Sequence, residues 1–208
     1  MLEIKNVHKT FNKGTINEKK ALNGVELKME PGDFVTVIGG NGAGKSTMLN
    51  MIAGVYPIDQ GTILLDDKDI SDLPEYKRAY MLGRVFQDPM MGTASGMEIQ
   101  ENMAMAYRRG KRRGLSWGIT KKEKKMFREK LASLDLGLED RMTSKVGLLS
   151  GGQRQALTLL MATLKKPSLL LLDEHTAALD PKTAKKVLDL TEKIVAKDNL
   201  TTLMVTHN

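Results

Sequence analysis

The sequence predicts an α/β fold carrying a helical insertion, and three observations lead to it. A short apolar run, Phe34 to Ile38, feeds directly into glycines and then into a helix starting at Lys45, the order expected of a buried strand entering a phosphate-binding loop. Toward the other end, the apolar strand Leu169 to Leu172, a helix near Lys182 to Ala196 and the strand Thr202 to Val205 restore a strand–helix alternation. Between Asp88 and Lys145 the character changes to methionines at 90, 91, 97, 103 and 105, many charges, and helical spacing at Met103, Ala106, Met126, Leu131 and Leu134. That stretch reads as an inserted helical subdomain.

The remaining elements follow in chain order. Leu2, Ile4 and Val7, then Val25, Leu27 and Met29, sit mostly two apart, as in strands with one buried face. Gly32 and Asp33 make a turn. The helix from Lys45, with Met48, Leu49, Ile52 and Ala53 on its apolar side, ends at Gly54. Gly61 to Leu65 is a further strand and Arg84 to Phe86 a short one. No repeats or low-complexity linkers interrupt the pattern.

At 208 residues the chain is one domain, or one core with a subdomain inserted in it. It has no cysteine, which excludes disulfides and thiolate metal sites and makes a reducing cytoplasm the expected compartment. No stretch approaches the roughly 18 apolar residues of a membrane span, and the start MLEIKNVHKT alternates where a secretory signal needs a continuous apolar core. Any membrane role is expected to come through a partner.

Thirty-two Lys and Arg against 25 Asp and Glu give a net charge of +7. The excess concentrates in Arg108, Arg109, Lys111, Arg112 and Arg113, then Lys121, Lys122, Lys124, Lys125, Arg128 and Lys130. This is either a solvated loop and helix face or a contact with anionic lipid headgroups or a partner's acidic loop. Only Tyr107, Trp117 and Phe127 offer rings there, so no nucleic-acid partner is expected.

The segment Gly39-Gly40-Asn41-Gly42-Ala43-Gly44-Lys45-Ser46-Thr47 matches G-x4-G-K-[ST] between a predicted strand and a predicted helix. Glycines let the loop wrap its backbone amides around phosphate oxygens. Lys45 is expected on the β and γ phosphates of ATP and the Ser46 hydroxyl on Mg2+, with the helix start adding a positive dipole end. Four leucines ending in Asp173 put a carboxylate at the carboxyl end of a parallel strand. Asp173 is the expected magnesium-side group, and Glu174 is free to polarise a water for attack on the γ-phosphate.

Leu149-Ser150-Gly151-Gly152-Gln153 completes the set, and with it the chain resembles the ATP-binding cassette ATPases, the nucleotide-binding subunits of ABC transporters, over nearly its whole length. Locally the same residues read as a capping box, Ser150 as N-cap and Gln153 three residues on. The resemblance implies an α/β P-loop NTPase core with a mainly parallel sheet, an N-terminal antiparallel β subdomain and an inserted α-helical subdomain. It divides the chain into a nucleotide core at 1–87 and 151–208 and a helical subdomain at 88–150.

Further roles follow from the resemblance alone. Gln87, in VFQDP, would touch the magnesium ion and the attacking water. His207, after TTLMVT, would contact the γ-phosphate. Asp180, in AALD, would cross a dimer interface, and Ser150 to Gln153 would face the γ-phosphate held by a second copy. Phe11 stacks on adenine or fills the core. Two departures stand out in DEHTAALDP: His175 replaces the family's usual proline and Ala177 its serine. His175 is expected to replace a turn residue rather than to titrate. The family usually continues with another strand and a helix, so the chain looks truncated, and His207 as penultimate residue should fray.

The function implied is an ATPase that forms a homodimer, or a pseudo-dimer with a related subunit, around two ATP molecules. It would drive transport through separate permease subunits on the inner face of the membrane, import favoured, with a solute-binding protein in the complex. The five methionines suit an adaptable groove for a permease helix or fill the subdomain core. The competing readings are an ABC ATPase acting in DNA repair or on ribosomes, and an ATP-binding module without turnover.

Overall fold

The computed structural model describes residues 1–110 and 118–206. The chain separates into two compact units, the first from residues 1–83, 167–174 and 199 onward, the second from residues 84–166 and 175–198.

The first unit contains two sheets. In one, β1 (Leu2–Phe11) lies between β2 (Lys19–Met29) and β4 (Gln60–Leu65), with the short β5 (Lys68–Asp69) beyond. Both neighbours of β1 are antiparallel to it, pairing Ile4 with Leu27 and with Ile63. The register shifts between Ile4 and Val7, where Asn6 takes φ 48°. This bulge explains why Val7 falls three residues after Ile4 and still points into the core.

In the other sheet the order is β3 (Phe34–Ile38), β8 (Thr202–Thr206), β7 (Leu169–Asp173) and β6 (Leu82–Val85). Strands β3 and β7 both run parallel to β8. Leu169 to Leu172 are fully buried, as a strand covered on both faces requires. Strand β3 departs from expectation: it stands at the sheet edge, and Phe34 and Ile38 are 47% and 66% exposed. Its apolar run predicted a buried strand, but pairing and cover are tertiary properties that a five-residue run cannot specify. Helix α1 (Lys45–Ala53) supplies Met48, Leu49, Met51 and Ile52 to one core shared with Leu2, Ile4, Ile63 and Leu65 from the antiparallel sheet and Leu169, Leu171, Leu203 and Val205 from the parallel one. The short α2 (Glu75–Arg78) completes this unit.

The second unit is helical. Helices α3 (Ile99–Tyr107), α4 (Lys121–Ala132) and α5 (Gly151–Thr163) enclose a second core of Ile99, Met103, Phe127, Leu131, Leu138, Leu157 and Leu160. Helix α6 (Pro181–Asp198) packs on α5. Thr120 caps α4 by accepting from the Glu123 amide, and Glu123 reaches back to the Thr120 amide, a reciprocal box that fixes where the helix starts.

Candidate functional site

Two of the site's components lie in the first unit, where β3 and β7 end. The loop leaving β3 turns into α1 through Gly44, whose φ of 88° and approach to β2 admit no side chain: an added Cβ would stand 2.5 Å from the Ala21 carbonyl oxygen. Lys45 is buried, and its ammonium donates to the Gly39 carbonyl at 2.6 Å and the Gly40 carbonyl at 3.0 Å. It is also 3.8 Å from Glu174 Oε1. The cation is thus held inside its own loop by groups that a phosphate's oxygens can replace.

Asp173 and Glu174 follow β7 in sequence but serve different neighbours. The Ser46 hydroxyl stands 3.4 Å from Asp173 Oδ1, two hard oxygen donors side by side. Glu174 is only 7% exposed, donates its amide to the Val205 carbonyl at 3.0 Å and takes φ 44°. A positive φ at glutamate costs about 1–3 kcal/mol and persists where surrounding structure imposes it. Here the amide bond to β8 and the buried carboxylate facing Lys45 impose it. The parallel sheet therefore presents one carboxylate to a hydroxyl and the next to an ammonium.

The other predicted residues of the first unit are placed as follows. Asn41, Gly42 and Ala43 form the exposed tip of the phosphate loop, and Thr47 is half-buried in the first turn of α1. Phe11, at the end of β1, is half-buried and meets Tyr56 edge to face with ring centroids 5.3 Å apart. His207 lies outside the described residues.

In the second unit, Ser150 caps α5: its hydroxyl accepts from the Gln153 amide at 3.3 Å, and Gln153 Oε1 accepts from the Ser150 amide at 3.2 Å. Gly151 and Gly152 form the exposed-to-buried first turn, and a Cβ on Gly152 would fall 2.1 Å from the Thr183 methyl. Asp180 caps α6 by accepting from the Thr183 amide at 3.1 Å. Its hydrogen bonds with Thr183, side chain first and then backbone, hold its carboxyl below the usual range. Gln87 is exposed just after β6.

Three residues without a motif matter here. Gln155, fully buried on α5, donates to the Phe86 carbonyl at 3.0 Å and so pins the residue before Gln87. Arg78, 2% exposed, donates to the carbonyls of Met51 and Ile52 at the end of α1. His175 is buried with Nε2 3.1 Å from Thr191 Oγ1, while the Thr191 hydroxyl donates to the Val187 carbonyl. With that hydroxyl proton engaged, Nε2 is the donor and the ring is the neutral Nε2–H tautomer. Burial pushes its pKa down to about 4. His175 is thus a turn residue, as expected, and its buried ring ties that turn to α6.

The sequence profile of the ABC transporter family matches residues 22–177. The tyrosine transport ATP-binding protein of Clostridioides difficile is 46% identical over 208 residues, covering all of this chain and 82% of the relative. The methionine import ATP-binding protein MetN of Clostridium tetani is 34% identical over all of this chain, which spans 61% of that relative's length. Among solved structures, a dimeric post-hydrolysis state of the ATP-binding cassette MJ0796, bound to ADP and phosphate, superposes with a TM-score of 0.83 at 32% identity and covers 100% of this chain and 88% of that one. A phosphate loop ending in a buried lysine, a carboxylate pair where a parallel strand ends and these relatives lead to one conclusion: the chain belongs to the ABC transporter family, as one of its ATP-binding, ATP-hydrolysing proteins.

Proposed function

We propose that two copies of this chain, or one copy and a related ATPase subunit, close head to tail around two ATP molecules and so drive uptake of a small organic solute through separate permease subunits at the cytoplasmic face of the membrane. The observation carrying this reading is the Lys45 ammonium, held by loop carbonyls 3.8 Å from Glu174. In it, Lys45 leaves Gly39 and Gly40 for the β and γ phosphates, and the amides of Asn41 to Thr47 take the remaining phosphate oxygens. Glu174 orients the attacking water and accepts its proton as the bond from water to the γ-phosphorus forms and the bond to the β–γ bridging oxygen breaks. Gln87 contacts the attacking water, and His207 the γ-phosphate.

The hydroxyl and carboxylate at Ser46 and Asp173 fit Mg2+, which prefers oxygen donors and commonly uses one or two carboxylates beside substrate phosphates. Ser46, Asp173 and Gln87 would hold the ion, which when bound neutralises charge on the β and γ oxygens.

Ser150 to Gln153 offer a capped helix start to the γ-phosphate of the opposite chain, Asp180 lies across the interface and Phe11 stacks on adenine. The dimeric cassette relative supports this arrangement, and the names of the tyrosine and methionine transport relatives support uptake and an amino-acid class of solute. Residues 88–150 act as the subdomain that meets the permease. A cavity of about 560 Å³ there, lined by Met97, Ala104, Met105, Arg108 and Ile119, suits a permease segment with an apolar side, and a solute-binding protein supplies the cargo. No helix among the described residues is long and apolar enough to cross a membrane.

Glu174→Gln tests the assignment. Phosphate release should fall by about 10²–10⁴-fold while ATP binding is retained and an ATP-bound dimer accumulates in light scattering. An unchanged rate would remove Glu174 from its role.

A further inference from the structure

Of the basic stretch, Lys111, Arg112 and Arg113 lie outside the described residues, and the cations from Lys121 onward fall on α4. Lys121, Lys124, Lys125 and Arg128 are all exposed and recur three and four residues apart, so they form one continuous strip along the helix. Lys122 flanks the strip and is exposed too. Of the carboxylates near it, Glu123 is engaged otherwise. Glu123 accepts from Arg108 at 2.9 and 3.0 Å and from the Thr120 amide at 2.7 Å, and these bonds, with the Thr120 backbone first, hold its carboxyl below the usual range. Asp140 reaches Arg128 only at 3.8 Å with both side chains open to water. Glu129 is the one other acid of the helix.

Like charges at i and i+4 weaken a helix, so the pairs Lys121 with Lys125 and Lys124 with Arg128 are a liability to α4 on its own. The helix compensates with its Thr120–Glu123 box and with Phe127 and Leu131, both fully buried. A face that only needed hydration would be served equally by mixed charge. A surface of fixed negative charge relieves the repulsion of all four cations at once.

We infer that the Lys121–Arg128 strip of α4 docks on the anionic phospholipid headgroups of the membrane in which the permease sits. The inference rests on the proposed permease groove in one respect: Lys124 lines the same cavity as Met97 and Met105. A segment emerging from a bilayer into that cavity brings the flank of the cavity within reach of the headgroups. The strip's chemistry favours lipid over a nucleic acid. Among the described residues its cations stand along one helix with no exposed ring beside them, since Phe127 is buried and Tyr107 packs against it edge to face at 6.1 Å, whereas single strands are gripped by stacking platforms; Trp117 lies outside the described residues.

The test is co-sedimentation of the full chain with vesicles of phosphatidylcholine alone or with about one third phosphatidylglycerol, at low and high salt. Binding should require the anionic lipid and weaken as salt screens it. Each lysine near such a surface contributes about fivefold in affinity, so Lys121→Gln with Lys125→Gln should weaken binding roughly 25-fold. Removing the same charge through Lys20→Gln with Lys28→Gln, two exposed lysines of β2, should leave it unchanged.

Equal binding to neutral vesicles, equal loss in both double variants, or RNA binding that anionic vesicles fail to displace would each overturn the inference. Phosphate release without vesicles separates this idea from the proposed function. It should be unaltered in the α4 variant, and a chain that binds anionic vesicles yet turns over no ATP would refute only the latter.

Discussion

Replacing Arg78 by methionine removes a buried cation from a site built of backbone carbonyls. The guanidinium donates Nε to Leu73 O at 2.7 Å, Nη1 to Met51 O at 2.6 Å and Ile52 O at 3.1 Å, and Nη2 to Ser71 O at 2.8 Å. Two of these acceptors, Met51 and Ile52, belong to the last turn of α1, where a cation is favoured by the dipole, and Met51 O also accepts from the Gly54 amide at 3.1 Å. Methionine keeps the stem's volume but donates nothing. Four acceptors at about 1 kcal/mol of net stabilisation each set a scale near 4 kcal/mol. Against this, the side chain is 2% exposed and burial lowers its pKa, with Asp72 and Asp69 only partly opposing that, so the variant also escapes a desolvation penalty.

The net expectation is a loss of about 2–4 kcal/mol, measured by urea unfolding of the nucleotide-free protein. Arg78→Lys should recover less than half, because an ammonium cannot reproduce the planar fork that spans acceptors on both sides. A loss below about 1 kcal/mol in Arg78→Met, or full recovery by lysine, would refute the claim that the fork, rather than charge or volume, ties α1 to the segment between Ser71 and Leu73.

Burial holds the His175 pKa at about 4 against an ordinary 6.5, so the unfolded chain takes up that proton first. The associated stability is present above pH 6.5 and is lost as pH falls toward 4, about 2 kcal/mol between pH 7 and pH 5. Unfolding measured at both pH values should show this, and His175→Gln should remove the dependence. Gly152→Ala puts a methyl against Thr183 Cγ2 and should cost about 1–3 kcal/mol; Thr183→Ser removes that carbon and should restore most of it, so additive losses in a double-mutant cycle would contradict the packing.

The sequence made legible those parts whose chemistry is local to the chain. The turn after Phe34–Ile38, the helix between Lys45 and Gly54 and the box at Ser150–Gln153 announce themselves because cap, glycine and periodicity lie within a few residues of one another, and each element is present. The methionines show where such reasoning stops. Met103 is fully buried in the helical core, whereas Met90, Met91 and Met105 are 54%, 68% and 48% exposed. Composition names both uses of methionine, but only the direction in which the side chain leaves the backbone selects one.

What remained illegible has a common physical origin in partners that lie far along the chain. Arg78 finds carbonyls 26 and 27 residues away, Gln155 one 69 residues away, and His175 a hydroxyl 16 residues away that is itself committed to Val187. No residue-type pattern encodes such a match, because every residue offers a carbonyl and the selection is made by tertiary proximity. These three side chains nevertheless hold the ends of elements that the motifs occupy. Arg78 closes α1 opposite the phosphate loop, Gln155 fixes the residue before Gln87, and the His175 ring ties its own turn to α6. The motif residues supply groups that can meet a nucleotide, whereas their orientation depends on contacts that a motif does not contain. A substitution at Arg78, Gln155 or His175 should therefore impair the site without touching any of its reacting groups.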